Sequence, residues 1–317
     1  MVKLTTIYQS NTASAAQQPP AGGLVCVFLG ATSGIGASTA EKLASLLGPA
    51  TFYIAGRSQS RFASQKAKLE RLNRDLKVVF FEGEMSLLAD VDAFSKIITG
   101  AEKKVDYLCM SAGMLPLGGA RYTKENLELC LALSYYARTR LTANLLPLLH
   151  HASPAPRVLG PDVGLERNWT PHDAMNQSVT LTSLALDHLS ESAGGKIVFI
   201  HSFPGLVKTD IFNRVTAVEG TGIFARLRLA VMRLFVRVLM VVKGMSPEEC
   251  AERQVYYLTS DVYTARLGQG VVRVDDKSEV FAEEGPGGVL GRYREEGWPA
   301  RVWEFTIGVF ERVTGGV

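Results

Sequence analysis

Apolar and polar positions fall in blocks along the chain, and the blocks switch between two periods. Leu24–Leu29 (LVCVFL) is a continuous apolar run of the length of a buried strand. A helical period then runs through Ala40, Leu43 and Leu46. Residues 51–55 (TFYIA), 77–81 (KVVFF), 105–110, 157–159 and 196–201 (KIVFIH) have the same strand character. Between them, helical patterns cover 59–73, 87–98, a long tract at 124–149, and 179–189. A further helix begins at Pro247, and residues 271–274 predict a final edge strand. Strands alternating with helices at this spacing predict a doubly wound, mostly parallel α/β sheet with helices on both faces. No Pro- or Gly-rich linker divides the run. The pattern therefore predicts a single domain: an arm at 1–22, a core at 23–275 with a lid segment at 211–245, and a C-terminal extension at 276–317.

The first strand is followed at once by glycines at 30, 34 and 36. Strand, glycine turn and helix together form a phosphate grip. Gly30 permits the tight turn, Gly34 and Gly36 permit close approach, and the free N–H groups at the helix start face a pyrophosphate. An isolated glycine triplet reads as an ordinary turn. Here the flanking elements are those that a dinucleotide site of Rossmann type requires. Gly30, Thr32, Ser33, Gly34, Ile35 and Gly36 are the expected cradle. The second strand runs into Arg57 and Ser58, with no acid until well past Arg61. A base there suits a ribose 2′-phosphate, so the expected cofactor is NADP(H). The plainer alternative is a solvated arginine at a helix start. Glu84 follows the third strand, either near the adenine or as a plain loop acid.

The spacing Gly-x-x-x-Gly-x-Gly, with Ala31-Thr32-Ser33 inside it, resembles the short-chain dehydrogenase/reductase family. Met110-Ser111-Ala112-Gly113 resembles that family's Asn-Asn-Ala-Gly, with both asparagines replaced. The stretch from Phe203 through Pro204 and Gly205 to Thr209 is similar to its Pro-Gly turn with a downstream threonine. The resemblance spans about residues 24–209. The tail, including 303–310, is similar to a filamentous-fungal branch associated with natural-product pathways. It implies that Ser111, Ala112, Gly113, Pro204, Gly205 and Thr209 border the cofactor, and that Glu84 replaces an aspartate near the adenine amine. It also implies a homodimer through the 131–149 helix and its successor.

The family's chemistry needs a Tyr as general acid/base, a Lys four residues later, a Ser after the fifth strand and an Asn in the preceding helix. Between Tyr136 and Lys196 there is no Tyr and no Lys, and residues 158–169 contain no Ser or Thr. By spacing, the Tyr and Lys slots fall near Thr170 and Ala174, and the Asn slot near Ser134. No register slip restores the pair. Asp162, His172, Ser134, Tyr135 and Thr170 are the replacement candidates, with Asp162 and His172 foremost. Glu166, Asp173, Tyr136, His201 and Ser202 lie in the same region. Singly, each has a plainer reading: a turn cap, a solvated acid, or a core phenol with one backbone partner.

Composition narrows the function classes. The 317 residues are 47% apolar and 21% charged, with a formal charge of +3, which gives no nucleic-acid footprint. Four scattered cysteines show no metal-ligand spacing and read as free core thiols. The first 22 residues are polar and lack an apolar leader, so a loosely held arm and a cytoplasmic protein are expected. Residues 222–240 are rich in Leu, Val, Phe and Met, with Arg226, Arg228, Arg233 and Arg237 interspersed. Those charges exclude a transmembrane span. A lid over a large apolar substrate is expected there, with a self-interface or a peripheral membrane contact as alternatives. The leading reading is an NADP(H)-dependent oxidoreductase with substituted proton donors. A non-redox isomerase or cyclase, including a pericyclase, and an inactive NADP(H) sensor are the alternatives.

Overall fold

The computed structural model describes residues 2–16, 22–114, 120–152, 156–160, 171–210, 222–264, 266, 270–281 and 288–315. Its strands are β1 (Leu24–Leu29), β2 (Ala50–Gly56), β3 (Leu76–Glu82), β4 (Tyr107–Met110), β5 (Arg157–Gly160), β6 (Val198–Ser202) and β7 (Val271–Val274). The helices before β5 are α1 (Leu4–Ala15), α2 (Gly34–Leu46), α3 (Gln59–Leu72), α4 (Leu88–Ala101), α5 (Leu129–Leu131) and α6 (Ala137–His150). Those after it are α7 (Pro171–Ser192), α8 (Ile223–Lys243), α9 (Pro247–Thr259), α10 (Asp261–Thr264), α11 (Val289–Glu295) and α12 (Trp298–Thr314).

The strands form one sheet in the order β3-β2-β1-β4-β5-β6-β7, with every neighbouring pair parallel. The doubly wound architecture follows from strands apolar on both faces. In β1, Cys26 and Phe28 join Phe52 and Ile54 in a layer closed by Leu43 of α2, Phe62 of α3 and Val255 of α9. Val25, Val27 and Leu29 join Tyr53 on the opposite face, closed by Phe94 of α4, Leu141 and Leu145 of α6, and Leu186 of α7. Each such side chain contributes about 1.5–3 kcal/mol on burial.

Two expectations are corrected. The helix expected from Lys124 starts later. Residues 123–128 form a turn in which Asn126 takes φ 59° and the Thr123 hydroxyl accepts from the Glu125 and Leu127 amides. Helix begins at Leu129, where Glu128 caps the Leu131 amide, and passes through a π-helical segment at Ala132–Tyr136 before α6. The arm expected to be loosely held is instead the docked helix α1. Ile7 and Asn11, one turn apart, are both buried, and Asn11 Nδ2 donates to the Glu252 carbonyl (2.9 Å) and Oε2 (2.7 Å) on α9. Polar composition hides this two-residue face.

The resemblance assigns a face of α6 and α7 to a twin subunit. The chain's own α12 packs there. Trp303 stacks on His188, Phe310 lies edge-on to Tyr136 and under the Arg140 guanidinium, and Arg294 of α11 pairs with Asp187 at 2.7 Å.

Asn11→Ala removes both Asn11 bonds from α1 to α9 and strands the Glu252 acceptors. It should lower stability by about 1–3 kcal/mol. A urea melt checks this through a shifted midpoint at unchanged slope, and an unaltered midpoint would restore the picture of a loose arm.

Candidate functional site

A cleft of about 780 Å³ opens where the chain order reverses, at the carboxyl ends of β1–β4. Its floor is a backbone contact between two strand exits. The Ser111 and Ala112 amides both donate to the Leu29 carbonyl at 2.8 Å, and Ser111 Oγ donates to the Gly30 carbonyl at 3.1 Å. Gly30 takes φ +102°, and a Cβ there would lie 2.3 Å from the Ala112 nitrogen. A Cβ on Gly36 would lie 2.2 Å from Ser111 Oγ and 2.6 Å from the Gly30 carbonyl oxygen. No other residue fits either position without moving the floor. α2 opens at Gly34 on the cleft wall with no acid in its first turn, so its positive dipole end and unbonded amides lie there. Thr209 packs across Gly34 from the far side.

Of the expected cofactor residues, Gly30, Thr32, Ser33, Gly34, Ile35, Arg57, Glu84, Ser111, Ala112, Gly113 and Thr209 all line this cleft. Arg57 is well exposed, and its Nη1 stands 4.0 Å from Glu84 Oε2. Glu84 also accepts from Ser86 Oγ, while its amide donates to Asp90. Ser58 is not in the lining; its hydroxyl caps α3 by accepting from the Arg61 amide. Pro204 and Gly205 are not in the lining either. Pro204 borders a separate void of about 20 Å³ behind Gly36, and the Gly205 turn packs on Asp276.

The catalytic candidates divide. Ser134 is fully buried in the π-helical segment, with Oγ beneath Gly113. Tyr135 is not brought to the cleft. Its phenol is fully buried against α12 and hydrogen-bonded to Thr306 Oγ1 at 2.5 Å, and burial pushes its pKa well up. Asp162, Thr170 and Glu166 lie outside the described residues, as do the side chains of His172, Asp173 and Ala174.

Some cleft residues escape the sequence pattern. Arg121 and Tyr122 come from the strand-side approach to the 123–128 turn and Lys124 from the turn itself, and Met114, Leu129 and Leu133 give an apolar wall beside Gly113. The titratable groups among the described lining residues are Arg57, Glu84, Arg121, Tyr122, Lys124 and Asp210. Behind the floor, the buried Arg138 donates through Nε and Nη2 to the Ala112 carbonyl, and so holds the β4 exit from below. Only the run Asn126 to Glu128 signals the turn, and nothing in the sequence singles out Arg138.

Comparisons with known proteins agree with this geometry. The family model for short chain dehydrogenases matches residues 24–156. An oxidoreductase of Emericella nidulans is 31% identical, covering 98% of this chain and 99% of the relative. The oxidoreductase lepF of Aspergillus flavus is 32% identical over 91% of both chains. Among solved structures, levodione reductase aligns with a TM-score of 0.60 at 19% identity, over 80% of this chain and 96% of that one. The L-sorbose reductase of Gluconobacter frateurii, solved with NADPH and L-sorbose, aligns with a TM-score of 0.59 at 19% identity, over 81% and 96%. These two likenesses concern the fold.

His201, at the end of β6, carries a measurable pH signature. It is buried, its Nδ1 lies 2.8 Å from Ser183 Oγ of α7, and its Nε2 has no hydrogen-bond partner among the described residues. Burial first, then the charges of Arg273 and Arg138, lower its pKa from 6.5 to about 3. Between those values the unfolded chain binds the extra proton. This contribution to stability is therefore complete above the unfolded pKa and is lost as pH falls from 6.5 toward 3. Its full slope is about 1.4 kcal/mol per pH unit. His201→Gln should flatten the pH dependence by that slope in urea melts between about pH 4 and about pH 5.5, where the unfolded imidazole is protonated and the folded one is not. Parallel curves for the two proteins would contradict a neutral buried imidazole.

Proposed function

Because the chain belongs to the short-chain dehydrogenase/reductase family, we propose that it is an NADP(H)-dependent oxidoreductase acting on a large apolar substrate through a proton donor other than the Tyr–Lys pair. The fungal origin of its relatives supports a place in secondary metabolism. The observation that carries the reading is the cleft floor, where Gly30 and Gly36 let the β1 and β4 exits and the start of α2 close to backbone contact beneath the cleft. A dinucleotide fits this cradle. Residues 30–36 receive the pyrophosphate at the positive end of α2. Arg57 forks onto the 2′-phosphate, and its distance from Glu84 leaves the guanidinium free to turn. Glu84 serves the adenine side. Ser111, Ala112, Gly113 and Thr209 border the nicotinamide side, and Met114, Leu129 and Leu133 offer the substrate an apolar wall.

When bound, the nicotinamide supplies or accepts the hydride. The chain must orient the substrate and move one proton. Asp162 and His172 flank the vacated Ser and Tyr slots in sequence and are the proposed proton carriers, with Thr170 in the Tyr slot itself. Ser134 supports the floor under Gly113 rather than meeting substrate. The absence of Tyr and Lys from 137–195 is the observation that favours a second reading, a non-redox isomerase or cyclase that keeps the cleft.

Fluorescence titration tests the cofactor. The protein should bind NADPH more tightly than NADH, and Arg57→Asp should weaken NADPH on the order of tenfold or more while improving NADH. Equal affinities in the unmodified protein would sink the NADP assignment. NADPH oxidation followed with apolar ketones from fungal extracts then separates the chemistries. Consumption with product supports the oxidoreductase, product without consumption the second reading, and binding without product a sensor.

A further inference from the structure

We propose that α8 lies in the surface of an anionic bilayer. Phe224, Leu227, Val231, Leu234, Phe235 and Val238 follow a helical period and form one stripe along it. All six are exposed, from 55% for Val238 to 81% for Phe224. None of the described residues of α8 lines the large cleft, so this stripe is not the underside of a lid closed over it. The helix is held at its C-terminal end. The Met245 amide donates to the Leu206 carbonyl (2.7 Å), the Lys208 amide donates to the Met245 carbonyl (2.9 Å), and Met240 is buried. The body of the protein thus grips the far side of α8 and leaves the stripe facing outward. An apolar face of this extent needs a cover other than water.

Charge identifies the cover. The helix carries Arg226, Arg228, Arg233, Arg237 and Lys243, and no Asp or Glu. Arg226 and Arg237, at i and i+11, are exposed on one side of the stripe, whereas Arg233 turns toward the body with its Nε buried. A twin helix packed on the same face would bring two wholly basic helices together, with no acid on either to offset their charge. Acidic headgroups neutralise the same edge while the acyl region receives the Phe and Val side chains, and arginine stems reach from one zone to the other. At about 1.5 Å per residue the helix is about 32 Å long, yet its charges recur along its whole length. No helix among the described residues is long and apolar enough to cross a membrane. α8 therefore lies along the surface. Its anchored end adjoins the segment that delivers Thr209 and Asp210 to the cleft, so the mouth stands beside the lipid. This surface role does not depend on the chemistry in the cleft.

Flotation of the full chain with phosphatidylcholine vesicles, with and without phosphatidylserine, tests the proposal. The protein should float only with the serine-containing vesicles and should be released by high salt. Arg226→Gln with Arg237→Gln should lower partitioning on the order of 30-fold, at roughly fivefold per surface charge. Phe224→Ser with Phe235→Ser should abolish flotation while circular dichroism stays unchanged, because both rings are exposed. Failure to float, or equal flotation without phosphatidylserine, overturns the proposal. So does a dimer in solution that the Phe pair converts to monomer while vesicles stay unbound, since the stripe is then covered by a second copy.

Discussion

The site rests on the approach of two strand exits, main chain to main chain. The Leu29 carbonyl takes both the Ser111 and Ala112 amides, and the Gly30 carbonyl takes the Ser111 hydroxyl. This contact holds β1 and β4 together at the point where the chain order reverses. It also sets where α2 can start and how deep the cleft is. It tolerates no side chain at 30 or 36, because a Cβ at either would enter the opposing backbone or the Ser111 hydroxyl. A dinucleotide-binding floor built this way depends on what is missing from glycine rather than on any functional group.

The layer beneath the floor is polar and unusual. Arg138 reaches up from α6 to the Ala112 carbonyl, and His201 and Ser183 form a second buried pair behind it. A buried guanidinium costs desolvation unless its donors are satisfied, so its hold on Ala112 ties the floor to the helix behind. The π-helical segment one turn earlier contributes as well. An extra residue in a turn rotates the rest of the helix about its axis. Here it puts Ser134 under Gly113 while Tyr135 leaves toward Thr306 of α12. The C-terminal helices then close over α6 and α7, where Phe310 and Trp303 supply the contacts that the resemblance assigns to a twin.

Much of this is legible in the chain. Strands apolar on both faces and helices at regular spacing predict the sheet, because burial on two sides leaves an uninterrupted apolar run that periodicity finds. The glycine cradle is legible because three glycines in that context have one geometric use. Other features are not. The 123–128 turn stays hidden because Thr123 and Asn126 act through one hydroxyl and one left-handed backbone angle inside an otherwise helical composition. Tyr135 departs from its expected place because a 3.6-residue period cannot anticipate a π-turn. α1 escapes the pattern because two buried residues, Ile7 and Asn11, anchor a segment that is polar elsewhere. The stripe on α8 is plain in the sequence, but its outward direction needs the fold.

The cradle and the catalytic machinery are separable for a physical reason. The floor is made by main-chain atoms and by absent side chains, so changes in the polar residues above it do not disturb it. Proton transfer is made by side chains on the stretch between β5 and α7 and on the cleft wall, and those can change without loss of the sheet. Here the floor is present, and residues 137–195 hold no Tyr and no Lys. A helix of 22 residues still follows β5 and packs Leu186 and Leu189 into the second core layer, although it holds no Tyr and no Lys. Its packing never required them. The fold continues to supply orientation beside a bound dinucleotide. A proton donor beside such a floor can therefore change while the floor stays as it is.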